Sequence, residues 1–174
     1  MDLLQLMKNR RSVRTYTGAP IPAGKLEQIL QAGQLAPSGK NLRTVEFVVV
    51  ADRETLQKLS ESRAMGAGML ADAACAVVVI ADAEKGDTWI EDASLAMGHM
   101  LLMAEHLDVA ACWVQQRRRT TAKGEEAGAY VKALLGVPPH YEVEAILSLG
   151  MPAQKPEPRT WDETETRKIH RETF

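Results

Sequence analysis

Four apolar runs rich in valine, at residues 45–51, 75–81, 109–115 and 143–150, set the rhythm of the chain. Their near-continuous hydrophobicity predicts strands covered on both faces, and helices must do the covering. Between the runs the period changes to that of a helix. Residues 2–9 predict a short helix with Asp2 as N-cap. A second opens at Ile21-Pro22-Ala23, carries Leu26, Ile29 and Leu30 on one face, and is ended by Pro37. Asp52 can cap a third with Leu56 and Leu59 inside, and residues 66–74 fit a short helical piece before the second run. From Trp89 to Leu107 apolar residues recur at positions 93, 96, 97, 100, 101, 103 and 104. That is more than one helical face, so the helix is expected to be widely buried. A last amphipathic stretch with Val131, Leu134 and Leu135 is stopped by Gly136 and Pro138-Pro139. After Pro152 the pattern ends, and residues 153–174 read as an extended, charged arm that needs another surface, such as a partner subunit, to order it.

Composition bounds this picture. A chain of 174 residues, 45% of them hydrophobic, can bury one core, so residues 1–174 read as a single domain. Lys and Arg total 21 against 23 Asp and Glu, and a net charge of −2 gathers neither nucleic acid nor anionic membrane. No apolar run approaches the roughly 20 residues needed to cross a bilayer, and the N-terminus has no cleavable signal pattern, which predicts a cytoplasmic protein. Cys75 and Cys112 lie in apolar runs and form no C-x-x-C, so they read as small buried hydrophobes. His99 and His106 on one helix are separated by about 10.5 Å of rise, and His140 and His170 stand alone, so no metal site is expected.

Candidate chemistry concentrates in two stretches. Arg10-Arg11-Ser12-Val13-Arg14 sets three guanidiniums and a hydroxyl close together, which suits a phosphate dianion through fork-shaped, charge-assisted hydrogen bonds. Such a cluster is more often a solvated face; a second cationic patch, Lys155 and Arg159 after Leu149-Gly150-Met151-Pro152, raises the phosphate reading if the two converge. Ala36-Pro37-Ser38-Gly39-Lys40-Asn41 predicts an irregular loop, fixed by the strand that follows, whose amides can reach a polar ligand. Gly66-Ala67-Gly68-Met69-Leu70-Ala71 matches a dinucleotide fingerprint and Asp82 stands where a ribose partner would. That fingerprint must follow a strand directly, and the polar residues 61–65 do not form one. Ser38 lacks a nucleophile elbow and Ser12 sits among arginines, so hydrolysis has little support. Arg117-Arg118-Arg119 lacks interleaved aromatics and reads as a solvated loop able to meet a substrate. The strand end Cys112-Trp113-Val114-Gln115 is core by default, with the option of bordering a flat cofactor.

Taken in order, R-R-S-x-R at 10–14, A-P-S-x-x-N at 36–41, D-x-x-x-A at 92–96, C-W at 112–113, L-G-x-P at 149–152 and the late Arg159 give a chain that resembles the FMN-dependent nitroreductases, in their short single-domain form. The resemblance implies an α+β fold with a central mixed β-sheet flanked by helices, and a homodimer that exchanges C-terminal arms and holds FMN at its interface. It assigns Arg10, Ser12 and Arg159 to the phosphate, Arg11 to the ribityl chain and Arg14 to the pyrimidine edge. Pro37, Ser38, Gly39 and Asn41 would reach in from the other subunit, and Trp113, Val114 and Gln115 would border the flavin. The implied activity is ping-pong hydride transfer from NADH or NADPH, through flavin N5, to a nitroaromatic, quinone or other electrophile. No protein acid, base or nucleophile is needed, and Arg14 acts by its charge. The alternatives are a flavin-binding or regulatory dimer without turnover, or the same fold doing reductive dehalogenation or flavin fragmentation. Departures from the family pattern fall at Leu42-Arg43-Thr44-Val45, at Gln115-Gln116-Arg117, at Met97 and at Asp108, which stands at a usual glycine position. They bear on the acceptor and the nicotinamide preference, both of which stay open.

Overall fold

The computed structural model describes residues 2–174. In chain order it contains α1 (Leu3–Asn9), α2 (Ala23–Gln34), β1 (Val45–Val50), α3 (Arg53–Ser60), β2 (Cys75–Asp82), α4 (Trp89–His106), β3 (Ala110–Gln115), α5 (Ala127–Leu135) and β4 (Tyr141–Gly150). Short 3-10 turns lie at Gly39–Asn41, Gly68–Asp72, Trp161–Glu163 and Thr166–Lys168. All four apolar runs are strands, and Asp2 and Asp52 cap their helices by accepting from Gln5 N and Thr55 N. The stretch after Gly66 is one 3-10 turn with no strand entering it, which removes the dinucleotide-fingerprint reading.

The sheet has the order β1-β2-β4-β3, and every pair is antiparallel, so the α+β fold holds while the mixed sheet does not. Two connections account for this. From β1 the chain passes through α3, only eight residues long, and re-enters beside the end it left, with Val50 opposite Ala76. The long α4 does carry the chain back along the sheet, as a parallel crossover would, but β4 is inserted between β2 and β3 and runs against both.

β2 and β4 are buried on both faces and divide the core in two. One half packs Val77, Val79, Leu147 and Leu149 against Ile29, Met97, Met100 and Ala104 of α2 and α4. The other packs Val78, Ile80, Val114 and Ile146 against Leu56, Leu59, Leu70 and Val131. Gly33 lets α2 approach, since a Cβ there would lie 2.7 Å from the Phe47 ring and 2.9 Å from Met100 Cγ. Both cysteines are free and buried, and burial pushes the Cys75 thiol up to about 11. Among the described residues no helix is long and apolar enough to cross a membrane.

The register of β2 and β4 slips between Val79 and Ile80, which face Ala145 and Val143, leaving Glu144 as the extra residue of a β-bulge. Beyond Met151 the arm runs along its own chain. Ala153 N donates to Thr15 O at 3.1 Å, Arg159 N to Lys8 O at 3.2 Å, Arg11 to Glu157 O, and the Lys8 ammonium lies 5.2 Å from the Trp161 ring centroid. The surface ordering the start of the arm is thus α1 and the turn after it, while Ile169 and Phe174 further on are exposed.

Candidate functional site

The arginine turn is built by pinning every residue that is not an arginine. α1 ends as the Arg10 N–H donates to Leu6 O, after which the chain is extended. Val13, 3% exposed, donates its N–H to Ala111 O at 3.0 Å on the free edge of β3. Tyr16 bridges Pro152, and its hydroxyl lies 2.7 Å from Ser148 Oγ on β4. Burial pushes the Tyr16 phenol up to about 12. Ser12 and Arg14 stand beside Cys112, whose thiol burial raises and Arg14 draws down.

Charge at this turn is one-sided. Burial holds the Arg10 guanidinium below its usual value, and repulsion from Arg159 and then Arg11 adds to this, with Glu105 acting in the opposite sense. Among the described residues none of Arg10, Arg11 and Arg14 forms a salt bridge, and Arg159 has only Glu163 at 3.8 Å. Like charges gathered in a half-buried place are only partly offset by Glu105 and Glu163, and such an arrangement can accept an anion. Arg159 meets the turn as the sequence suggests; Lys155 does not. Its ammonium bridges Asp108 at 2.9 Å and Glu105 at 3.6 Å, because Asp108, in the left-handed region at φ 56° after the end of α4, turns its carboxylate toward the arm. Two cavities flank the turn, one of about 310 Å³ lined by Asn9, Arg11, Glu105 and Lys155, the other of about 270 Å³ lined by Arg14, Thr15 and Gln154.

The second stretch lies elsewhere. The loop at 38–43 sits at the start of α4, next to β1, on the opposite edge of the sheet from the arginine turn. Gly39 N donates to the buried Asp92 Oδ1 at 2.9 Å, and a Cβ on Gly39 would fall 2.0 Å from Thr88 Oγ1. Ser38 Oγ accepts Arg43 N at 3.0 Å, and Asn41 Oδ1 accepts Arg43 Nε at 3.2 Å. Lys40, Asn41 and Arg43 all have positive φ, at 52°, 55° and 50°. Pro37 and Ser38 border a recess of only about 30 Å³ with Asp92. One chain therefore does not bring Ser38, Gly39 and Asn41 to Arg10.

At the end of β3 the alternation of the ladder decides what is offered. Ala111 O faces the free edge, taken by Val13, and Gln116 N faces β4, donating to Glu144 O at 3.1 Å. The N–H groups of Trp113 and Gln115 therefore point off the free edge, whereas Val114 turns its backbone to β4 and buries its side chain in the core. Val114 is accordingly buried, with its backbone paired to β4. Trp113 Nε1 donates to Gln115 Oε1 at 2.7 Å. Arg117 is ordered beside this end, its guanidinium 5.9 Å from the Trp89 ring centroid. Asp92 as a loop anchor, Tyr16 as a clamp and Glu144 emerge only from the structure. The last nonetheless had a visible signal, a lone charge inside an apolar run.

The family model described as "Nitroreductase family" matches residues 7–67 and 61–151. The chain belongs to the nitroreductase family. A protein of Archaeoglobus fulgidus named as a candidate NADH dehydrogenase/NAD(P)H nitroreductase is 36% identical, over 99% of each chain. The structure of an FMN-dependent nitroreductase from Clostridium difficile R20291 superposes with a TM-score of 0.95 at 41% identity, covering 98% of this chain and 99% of that one. A nitroreductase-type structure from Desulfovibrio desulfuricans, solved in complex with FMN, gives a TM-score of 0.77 at 27% identity over 100% and 98% of the two chains. In this nitroreductase the arginine turn lies inside the first matched segment, and Arg159 lies beyond the second.

Proposed function

We propose that this nitroreductase is an FMN-dependent NAD(P)H oxidoreductase, passing electrons from NADH or NADPH to a nitroaromatic, quinone or related electrophile. The observation that carries the reading is Arg10, half-buried, repelled by Arg159 and Arg11 and without a salt bridge of its own among the described residues, with Ser12 and Arg14 beside the neighbouring Cys112. The donor set fits the group: a half-buried guanidinium pressed by two others is relieved by a phosphate dianion, and the hydroxyl of Ser12 adds a donor.

Arg10, Ser12 and Arg159 hold the phosphate and Arg11 the ribityl chain. Arg14, exposed beside the 270 Å³ cavity, would supply a fixed positive charge to the pyrimidine edge. The outward N–H groups of Trp113 and Gln115 orient the ring system at the free edge of β3. Bound FMN supplies the two-electron chemistry, accepting hydride from nicotinamide and delivering it to the acceptor. The protein contributes orientation, charge and exclusion of water, without a side chain that shuttles a proton.

The reading takes residues 1–174 as one domain acting as a cytoplasmic homodimer. In it the loop at 38–43, remote from its own arginine turn, serves the partner's cofactor, and the exposed end of the arm at 164–174 crosses to the partner. A visible spectrum of the purified protein, followed by anaerobic NADH or NADPH, tests the reading. Yellow protein that bleaches is the expected result; yellow protein that resists both donors removes the activity, and protein that refuses added FMN removes the cofactor. Light scattering tests the dimer, since a flavin-holding monomer contradicts a shared site.

A further inference from the structure

Within the stretch of β4 paired to β2, Tyr141 to Leu149, Glu144 alone has no counterpart, and it is 4% exposed. Its main-chain carbonyl accepts Gln116 N and Arg117 N, both at 3.1 Å, and Gln115 Nε2 at 3.2 Å. Its carboxylate Oε1 accepts the same Gln115 Nε2 at 2.9 Å, and the Gln115 Oε1 accepts the Trp113 indole N–H. Oε2 is buried with no partner. A hydrophobic side chain in this bulge would bury more cheaply than a carboxylate with an idle oxygen, so the acid is best explained by what its other oxygen holds.

We propose that Glu144 is a positioning residue: through Gln115 it fixes the side chains of Trp113 and Gln115, whose main-chain N–H groups leave the free edge at the end of β3, and so sets the platform that orients the flavin. The proposal rests on the oxidoreductase reading above. The bulge supplies the geometry, because the extra residue swings the carboxylate from its strand position toward the neighbouring strand end. Hydrogen bonds in series polarise one another, so the buried acid strengthens the amide and, through it, the indole contact. The relay runs from β4 to Trp113 without touching the arginine turn, which separates orientation of the ring system from retention of the phosphate.

Three variants test this: Glu144→Leu, Glu144→Gln and Gln115→Leu. Leucine at 144 removes the acceptor, whereas glutamine keeps one. The first readout needs no flavin. In the 15N–1H spectrum the indole signal of Trp113, assigned with Trp113→Phe, is expected to move in Glu144→Leu and to stay near its wild-type position in Glu144→Gln. The second is the reductive half-reaction with NADH or NADPH. In Glu144→Leu kcat is expected to fall about tenfold while KM changes less than about twofold and FMN stays bound, with Glu144→Gln restoring most of the rate. An unmoved indole signal overturns the relay. A moved signal with unchanged kcat overturns its role in positioning. Should Glu144→Leu fail to fold, Gln115→Leu cuts the same chain one bond later and leaves the bulge carbonyl in place; the same fall in kcat supports the proposal and an unchanged kcat overturns it. If wild-type protein binds no FMN, the oxidoreductase reading and the positioning role fall together, and the indole signal still decides whether the relay exists.

Discussion

The arginine turn and the loop at 38–43 are both polar, both lie at an edge of the sheet, and are constructed in opposite ways. In the turn the backbone is relaxed and the charges are not: Arg10 is extended at φ −58° and ψ 123°, while its guanidinium meets Arg159 and Arg11 with no salt bridge. In the loop the polar groups are satisfied internally, by Ser38, Asn41 and Asp92, while three non-glycine residues hold positive φ. One region holds unbalanced charge, which a bound anion would relieve. The other holds a backbone shape, which persists whether or not a ligand is present.

Each way of disturbing that contrast has a different signature. The largest effect is expected from Arg10→Ala, which removes a charge-assisted phosphate contact worth about 1.5 to 3 kcal/mol and weakens FMN roughly 10- to 150-fold in a fluorescence titration. Thermal stability without FMN should not fall, because a repelling charge has been deleted. Next comes the clamp that holds the turn to β4. The Tyr16 phenol titrates near 12 in the folded protein against about 10 when unfolded. The folded state therefore keeps a proton that the unfolded chain loses, so stability is intact below pH 10 and falls between pH 10 and 12, by roughly 2 kcal/mol. Tyr16→Phe should abolish that fall in denaturant titrations, leaving the separate decline that Cys75, pushed up to about 11, begins above pH 9.

The loop answers to backbone changes instead. Gly39→Ala drives a methyl onto Thr88 and strains the bond to Asp92, which should cost about 1 to 2 kcal/mol and lower Tm by roughly 2–8 °C with no direct loss at the phosphate. The smallest effect, of opposite sign, is expected from Lys40→Gly. It relieves a left-handed residue and gives up only an exposed ion pair with Asp87, for a gain of up to about 1 kcal/mol measured by thermal unfolding.

What could be read in the sequence follows the range of the interactions involved. The strands, α4 and the caps Asp2 and Asp52 depend on residues a few positions apart, and their patterns are local. The direction of the sheet was not local: α4 resembles a parallel crossover until β4, the last strand of the chain, is known to lie between β2 and β3. The meeting of Arg10 with Arg159 could be suggested from charge, but Lys155 carries the same charge and goes to Asp108 and Glu105, a choice made by the φ of one residue after α4. The bends at Lys40 and Arg43 carry no glycine to announce them. Val114 differs from its neighbours Trp113 and Gln115 because the period of a strand turns its backbone to β4 and its side chain into the core, an alternation that a continuous apolar run does not display.

The arm places Arg159 against a turn made at the very beginning of the chain. The contact closes a loop that passes through all four strands, so it joins segments that no single helix or strand connects. The spacing of those charges is thereby tied to the packing of the arm on α1, where Arg159 N donates to Lys8 O, and not to either half of the core.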